Sequence, residues 1–151
     1  MAKLVQPGQL AAWRALLTVH AQLTERMDRA LQEAGAIPLH WYDALLGLYE
    51  APERRLRLSE LASVAQLSRS GLSRLVDRLE EAGLLRREAV GDDARGAFAV
   101  LTSDGVAALR RAWAIYGREI QRLFGQHVSA SDAAVITSAL QRVLEAIASQ
   151  T

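Results

Sequence analysis

Residues 56–105 read LRLSELASVAQLSRSGLSRLVDRLEEAGLLRREAVGDDARGAFAVLTSDG, and this stretch contains the local signals that decide the fold. Ser59 is a good N-cap for a short helix, and residues 65–68 predict a tight turn after it. Ser68 predicts the N-cap of a second helix, which ends at the C′ glycine Gly83. The second helix has a single apolar stripe, formed by Leu72, Leu75, Val76 and Leu79. The stretch therefore begins with a helix-turn-helix.

A β-hairpin follows the second helix. Residues 84–90 and 97–101 have the character of two short strands, and residues 91–96 predict the turn between them. Glycines that bracket acidic residues between two such runs are typical of a hairpin. Directly after a helix-turn-helix, a hairpin of this kind is a wing.

Helices are predicted on both sides of this stretch. Before it, apolar spacing predicts helices over residues 9–34 and 39–49. After it, Thr102 or Ser103 caps a helix whose apolar residues repeat in steps of three and four, the period of a coiled-coil seam: Val106, Leu109, Trp113, Tyr116, Ile120 and Leu123. A last helix follows Ser129, with Asp132 completing a variant capping box. The predicted fold is mainly α with a small β-hairpin wing, in the order α-α-(β)-α-α-β-β-α-α.

Composition narrows the class of protein. The chain has 151 residues, 50% of them hydrophobic and 23% charged, which is ordinary for a globular protein. The absence of cysteine excludes disulfide scaffolds, cysteine-based metal sites and thiol redox sensors. Neither a membrane-spanning apolar run nor a secretory signal is found, so we expect a cytoplasmic protein without membrane partners.

The polar face of the second helix carries the chemistry of a DNA-reading surface. Arginine can donate two parallel hydrogen bonds to guanine, and serine can reach bases or phosphates. The candidate DNA-binding residues on this helix are Ser68, Arg69, Ser70, Gly71, Ser73 and Arg74. The net charge of +1 gives no overall sign of nucleic-acid binding, although residues 54–95 are the basic part of the chain. A helical hairpin with a solvated polar face remains an alternative for this segment taken alone.

The quoted stretch resembles the winged helix-turn-helix of the MarR (multiple antibiotic resistance regulator) family, and the resemblance extends over about residues 9–148. Three motifs carry it: the serine-rich start of the second helix, the run EEAGLLRR, and Asp93-x-Arg95 followed by a strand and LT. In the family, the aspartate of that pattern is thought to hold the arginine that enters the minor groove. The resemblance therefore implies that Asp93 and Arg95 are DNA-binding residues of the wing.

The resemblance also implies a homodimer that reads a palindromic operator in double-stranded DNA. Residues 1–35 and 103–151 are expected to form the dimerisation region, and residues 36–102 the DNA-binding domain. The terminal helices carry more apolar surface than one small module can cover, which favours the same conclusion. A monomeric helical bundle and a winged helix that docks a protein rather than DNA remain alternatives.

Family members usually bind a small phenolic or anionic effector that lowers their affinity for DNA, so the resemblance implies a ligand-responsive regulator, most often a repressor. One subset responds to urate, and Asp43, Arg74 and Arg87 match three of its ligand positions. Trp13 is only an approximate counterpart of the fourth, because this chain lacks the extra helix that carries the tryptophan in that subset. Asp43 can equally be a helix-surface or ion-pair residue.

The sequence gives little support for an enzymatic function. His20, His40 and His127 stand without metal-ligand spacing, and neither a glycine-rich phosphate loop nor a nucleophile elbow is present. We expect neither catalysis, nor a metal, nor a cofactor.

Overall fold

Six α-helices and a three-stranded sheet make up the described part of the chain. The computed structural model describes residues 4–65, 68–90 and 93–150, without the side chains of residues 69, 90 and 93–96. The elements are α1 (Pro7–Glu33), α2 (Leu39–Glu50), a 3₁₀ turn (Pro52–Arg54), β1 (Arg55–Arg57), α3 (Leu58–Val64), α4 (Arg69–Glu81), β2 (Leu85–Val90), β3 (Asp93–Leu101), α5 (Ser103–Ile120), a π-helical turn (Gln121–Gly125) and α6 (Ala130–Ala148). The predicted fold class and order of elements are confirmed.

The sheet joins the helix-turn-helix to the wing. Its strand order is β1-β3-β2, and both pairs are antiparallel. The short strand β1 pairs Arg55 with Val100, and β2 pairs Leu85 with Leu101. Six leucines from the helices and β2 are fully buried and form the centre of the core with Val76: Leu31, Leu45, Leu48, Leu61, Leu79 and Leu85.

The start of α3 differs from the prediction. Ser59 lies inside the helix, which begins at Leu58 with Arg57 as its N-cap. The Arg57 backbone N–H donates to the Glu60 carboxylate at 2.8 Å, so the glutamate at the third helical position reaches back to the N-cap and fixes the start of the helix at Leu58. The prediction of Ser59 as N-cap is therefore wrong.

The hairpin connection is shorter than the predicted turn over residues 91–96. Val90 pairs with Asp93, so β3 already begins at Asp93 and includes Arg95 and Gly96. Pairing between strands gives the backbone hydrogen-bond partners that a six-residue loop would leave to water. The register shifts between the pairs Glu88–Phe98 and Val90–Asp93, with one residue of β2 opposite four of β3. Arg95 thus lies in an irregular part of β3 and not in the connecting turn.

The chain divides into two compact units, Met1–Tyr116 and Gly117–Thr151. In the first unit, Met27 and Leu31 of α1 are buried, whereas the large apolar residues of its first half are exposed: Leu10, Trp13, Leu16, Leu17 and Val19. In the second unit, none of the α6 residues is buried. The predicted seam along α5 is not one uniform face, because Val106 and Leu109 are buried within the chain while Trp113 is 54% exposed.

Candidate nucleic-acid interface

The start of α4 is fixed by its own sequence. The Gly71 backbone N–H donates to Ser68 Oγ at 3.2 Å, so the prediction of Ser68 as N-cap is confirmed. The hydroxyl oxygens of Ser68 and Ser70 are 3.3 Å apart. At the other end, Gly83 has φ +73°, a left-handed conformation that glycine adopts without strain. The helix therefore begins with two serine hydroxyls at its solvent-facing end.

The two faces of α4 differ sharply in chemistry. Leu72, Leu75, Val76 and Leu79 are buried, as the stripe predicts. Ser70, Ser73 and Arg74 are exposed, and Gly71 is half-buried between the two faces. Arg74 Nε donates to the Ser70 carbonyl oxygen at 3.4 Å, a long bond that holds the guanidinium weakly. The side chain of Arg69, a further predicted site residue, lies outside the part of the chain that the structure describes.

An arginine on the wing connects β2 to α4. The Arg87 guanidinium forms ion pairs with both Asp77 and Glu80 of α4, and the Arg87 backbone N–H donates to Glu80 at 2.9 Å. Burial alone lowers the pKa of Arg87, but the hydrogen bonds to the two carboxylates outweigh that effect and raise the pKa above its ordinary value. The guanidinium stays charged, and it holds the wing against the helix.

The junction between α4 and α5 is also tied by hydrogen bonds. Thr102 Oγ1 donates to the Gly83 carbonyl oxygen at 2.7 Å and accepts the Gly105 backbone N–H at 3.0 Å. A Cβ at Gly105 would lie 2.1 Å from the Leu84 carbonyl oxygen, so only glycine allows this close approach. The end of α4 and the start of α5 are thereby held together.

Asp93 and Arg95 of the predicted wing motif are residues of strand β3. Their side chains fall outside the described part of the chain. Their roles in DNA binding remain predictions.

The four residues predicted for an effector do not line one cavity. Trp13 lies on the exposed half of α1 with 56% of its surface accessible, Arg74 lies on the outer face of α4, and Arg87 is engaged by two carboxylates. Asp43 alone among them lines a cavity of about 330 Å³.

This cavity lies between α1, α2 and Tyr116 of α5. Its polar lining residues are His20, Thr24, Asp43 and Tyr116, and its apolar ones are Leu23, Met27 and Leu39. Partial loss of water raises the pKa of Asp43 above its ordinary value, although His40 nearby acts in the opposite direction. The sequence offered one sign of this site, the interruption of the apolar pattern of α1 by His20.

Solved structures with the same fold identify the family. AbsC, a MarR family transcriptional regulator from Streptomyces coelicolor, matches with a TM-score of 0.86 and 31% identity, over 98% of this chain and 99% of AbsC. Sco3205, a MarR family transcriptional regulator from the same organism solved in complex with DNA, matches with a TM-score of 0.85 and 32% identity, over 97% of this chain and 91% of that one. This chain belongs to the MarR family.

The MarR family model itself matches residues 37–96, which run from α2 into β3. A mutant MarR from E. coli complexed with operator DNA matches over 87% of this chain and 91% of that one, with a TM-score of 0.74; at 23% identity this likeness concerns the fold alone. No curated protein sequence matches the chain.

Members of the MarR family are transcription regulators, so the expectation that the chain is not an enzyme is confirmed. Among the described residues, no group of three or more His, Asp or Glu side chains could hold a metal ion. No helix within the same residues is long and apolar enough to cross a membrane.

Proposed function

We propose that this MarR-family regulator is a cytoplasmic repressor that binds palindromic operator DNA as a homodimer and is released by a small-molecule effector. In this proposal, residues 36–102 read the DNA, and residues 1–35 and 103–151 form the dimer. The observation that carries it is the exposed polar face of α4 beside a wing that is fastened to the same helix.

The exposed face of α4 has the chemistry and geometry that major-groove reading requires. A recognition helix enters the groove with its N-terminal turns, and Ser70, Ser73 and Arg74 lie in those turns with their side chains exposed. The weakly held Arg74 guanidinium is free to exchange its bond to Ser70 for contacts with a base or a phosphate. The structure of Sco3205 with DNA supports this use of the fold.

The wing supplies the second contact in this proposal. Arg87 joins β2 to α4 through two ion pairs, so we propose that the hairpin and the recognition helix approach DNA together. Arg95, in the irregular part of β3, is proposed to enter the minor groove, where a narrow groove concentrates negative potential. Asp93 is proposed to orient it.

The homodimer is supported by apolar surface that the single chain leaves uncovered. On α1 the uncovered residues are those of its first half, and on α6 they are Val135, Ile136, Leu140, Val143, Leu144 and Ile147. Apolar helix faces of this extent mark interaction surfaces. A second copy is the partner we propose, because a two-fold dimer presents two equal recognition helices to the two halves of a palindrome.

Two measurements test the proposal. Sedimentation of the full chain at micromolar concentration should give about twice the chain mass of 16.5 kDa. Binding to duplex fragments from the chromosomal sites that the protein occupies should be tight and should weaken steeply with salt, because arginine contacts displace counterions. Weak, salt-insensitive binding to DNA would instead favour a winged helix that docks a protein.

A further inference from the structure

One face of the wing sheet carries an aromatic ring with two arginines stacked on it. Phe98 lies on the central strand β3, and the guanidinium carbon of Arg55 is 4.1 Å from the centre of its ring. The guanidinium carbon of Arg57 is 5.2 Å from the same ring. Contacts of this kind strengthen when they are partly removed from water, and both Phe98 and Arg55 are half-buried. Two side chains of β1 are thereby attached to β3.

Strand pairing and charge complete this group. Arg57 is paired with Phe98 in the register of β1 and β3, and Glu88 of β2 is paired with Phe98 on its other side. The Arg55 guanidinium also approaches the Glu88 carboxylate at 3.6 Å, so this ion pair reaches from one edge strand across β3 to the other. We call the four residues Arg55, Arg57, Phe98 and Glu88 the Phe98 cluster. It connects all three strands of the sheet through side chains as well as through the backbone.

The Phe98 cluster lies on the face of the sheet opposite α4. Side chains alternate between the two faces along a strand. Arg87 pairs with Asp77 and Glu80 of α4, so its neighbour Glu88, and the cluster with it, lie on the other face. The hairpin is therefore attached on both faces, to α4 through Arg87 and to β1 through the Phe98 cluster.

Strand β1 is attached in turn to α2, through the short connection between them. Arg54, the residue before Arg55, stacks on the Tyr49 ring of α2, with its guanidinium carbon 4.8 Å from the ring centre. Glu53 and Arg54 have φ of +54° and +55°, a left-handed conformation that persists in such residues where surrounding contacts hold it. Two consecutive arginines thus stack on rings of two different elements, Tyr49 of α2 and Phe98 of β3.

The place of Phe98 along β3 decides what this attachment controls. The pair Glu88–Phe98 is the last one before the register shift, and Arg95 lies three residues beyond it, about 10 Å away along an extended strand. The direction in which the irregular segment leaves the sheet is therefore set at Phe98. We propose that Arg55 and Phe98 are positioning residues for DNA binding, which fix the base of the hairpin and keep the wing ordered before it meets the minor groove. The entry of Arg95 into that groove is the part of the proposed function on which this inference rests.

Two variants remove the stacked contact and keep most of the apolar bulk. Arg55→Met removes the guanidinium, and Phe98→Leu removes the ring. Each should weaken binding to the operator fragments about fivefold, the factor to which a cation–π contact corresponds, because apparent affinity falls with the fraction of free protein whose wing is ordered. Phe98→Tyr keeps a ring and should bind like wild type. Amide hydrogen exchange of the free protein at residues 97–99 should be faster in the first two variants and unchanged in the third.

A double-mutant cycle with Arg95→Ala separates positioning from direct contact. If Arg55 acts through the wing, Arg55→Met should cost no further operator affinity once Arg95 is removed. A direct contact between Arg55 and a phosphate would instead cost the same in both backgrounds. Arg86→Met is the matched control: within the described part of the chain, Arg86 pairs with Glu88 on the same face but does not stack on Phe98. It should leave operator affinity near wild type.

The inference is overturned by unchanged operator affinity in Arg55→Met, by equal losses with and without Arg95, or by an equal loss in Arg86→Met. Because Arg55→Met changes a side chain at the surface of the sheet, it decides the matter even if Phe98→Leu does not fold. If Arg95→Ala itself leaves operator binding unchanged, the proposed wing contact fails, and the positioning role fails with it. If Arg95→Ala weakens binding while Arg55→Met does not, only the inference fails.

Discussion

Arg87 on β2 forms an ion pair with Asp77 on α4, and the same guanidinium also pairs with Glu80 one turn further along that helix. About a third of the Arg87 side chain is exposed, so water screens the pairs and each contributes modestly. Arg87→Met should lower the free energy of unfolding by about 1 kcal/mol and the thermal midpoint by about 2–4 °C. Operator affinity should fall as well, because the wing loses its attachment to the recognition helix.

Arg86→Met is the control for this variant. Arg86 is the neighbouring arginine on β2, but it pairs with Glu88 of its own strand at 2.5 Å and does not join two elements. Its removal should leave operator affinity closer to wild type. A double-mutant cycle of Arg87→Met with Asp77→Asn measures the coupling directly, and additive effects would contradict the proposed attachment.

The two faces of α4 should respond in opposite ways to truncation. Leu75 is buried, so Leu75→Ala should cost about 2–5 kcal/mol of unfolding free energy. Ser73 is exposed, so Ser73→Ala should leave stability near wild type and weaken operator binding. Chemical denaturation and operator titration of both variants test the assignment. A stable Leu75→Ala variant or a destabilised Ser73→Ala variant would show that the faces are misassigned.

The capping box of α6 should make stability depend on pH. Hydrogen bonds from the Ser129 hydroxyl and backbone N–H lower the pKa of Asp132 below its ordinary value. The ionised carboxylate therefore stabilises the folded chain above the ordinary pKa of 3.8, and this stabilisation disappears as the pH falls through the lowered pKa. Asp132→Asn should be less stable than wild type at pH 7, and the difference should shrink below pH 3.8. A difference that does not change with pH would contradict this origin.

Local signals allowed most of the fold to be predicted. Ser68 marks the start of α4 because its hydroxyl accepts a backbone hydrogen bond, and Gly83 marks the end because glycine adopts a positive φ without strain; the structure confirms both. Ser59 failed as a cap because the start of α3 is decided by Glu60 and the preceding strand. The turn over residues 91–96 failed because pairing between strands, which is not local, extended β3 to Asp93.

The cavity lined by Asp43 was the part that sequence reasoning could reach least. Asp43 was singled out, but His20 and Tyr116 stand far from it along the chain and meet it only because α1, α2 and α5 surround one cavity. Conversely, Arg87 was proposed as a ligand residue from its position alone, and the structure pairs it with Asp77 and Glu80. Which residue pairs with a charged side chain depends on tertiary packing, and the spacing of apolar residues along the sequence does not predict it.

The wing can be tested through Arg95. If this guanidinium enters the minor groove, Arg95→Ala should weaken operator binding and reduce the slope of log affinity against log salt by roughly one unit. The thermal midpoint should change little, because a DNA contact is not a contact of the folded core. Titrations at several salt concentrations measure the slope, and Arg122→Ala, on the π-helical turn outside the predicted DNA-binding domain, is the control. Unchanged operator affinity at every salt concentration would show that Arg95 does not contact DNA.

Arg74 gives the sharpest test, because two predictions compete for it. If Arg74 reads DNA, the Arg74→Ala protein should lose about 1–3 kcal/mol of operator affinity. If the arginine contacts a base, the variant should also show a relaxed preference at one base pair per half-site. If Arg74 instead binds the effector, the same variant should keep its operator affinity and lose its response to the ligand. Its exposure on α4, its weak bond to Ser70 and its absence from the lining of the Asp43 cavity favour the first outcome. Binding isotherms on the operator and on single-base variants, with and without the effector, separate the two. An Arg74→Ala protein that matched wild type in affinity, base preference and ligand response would refute both roles.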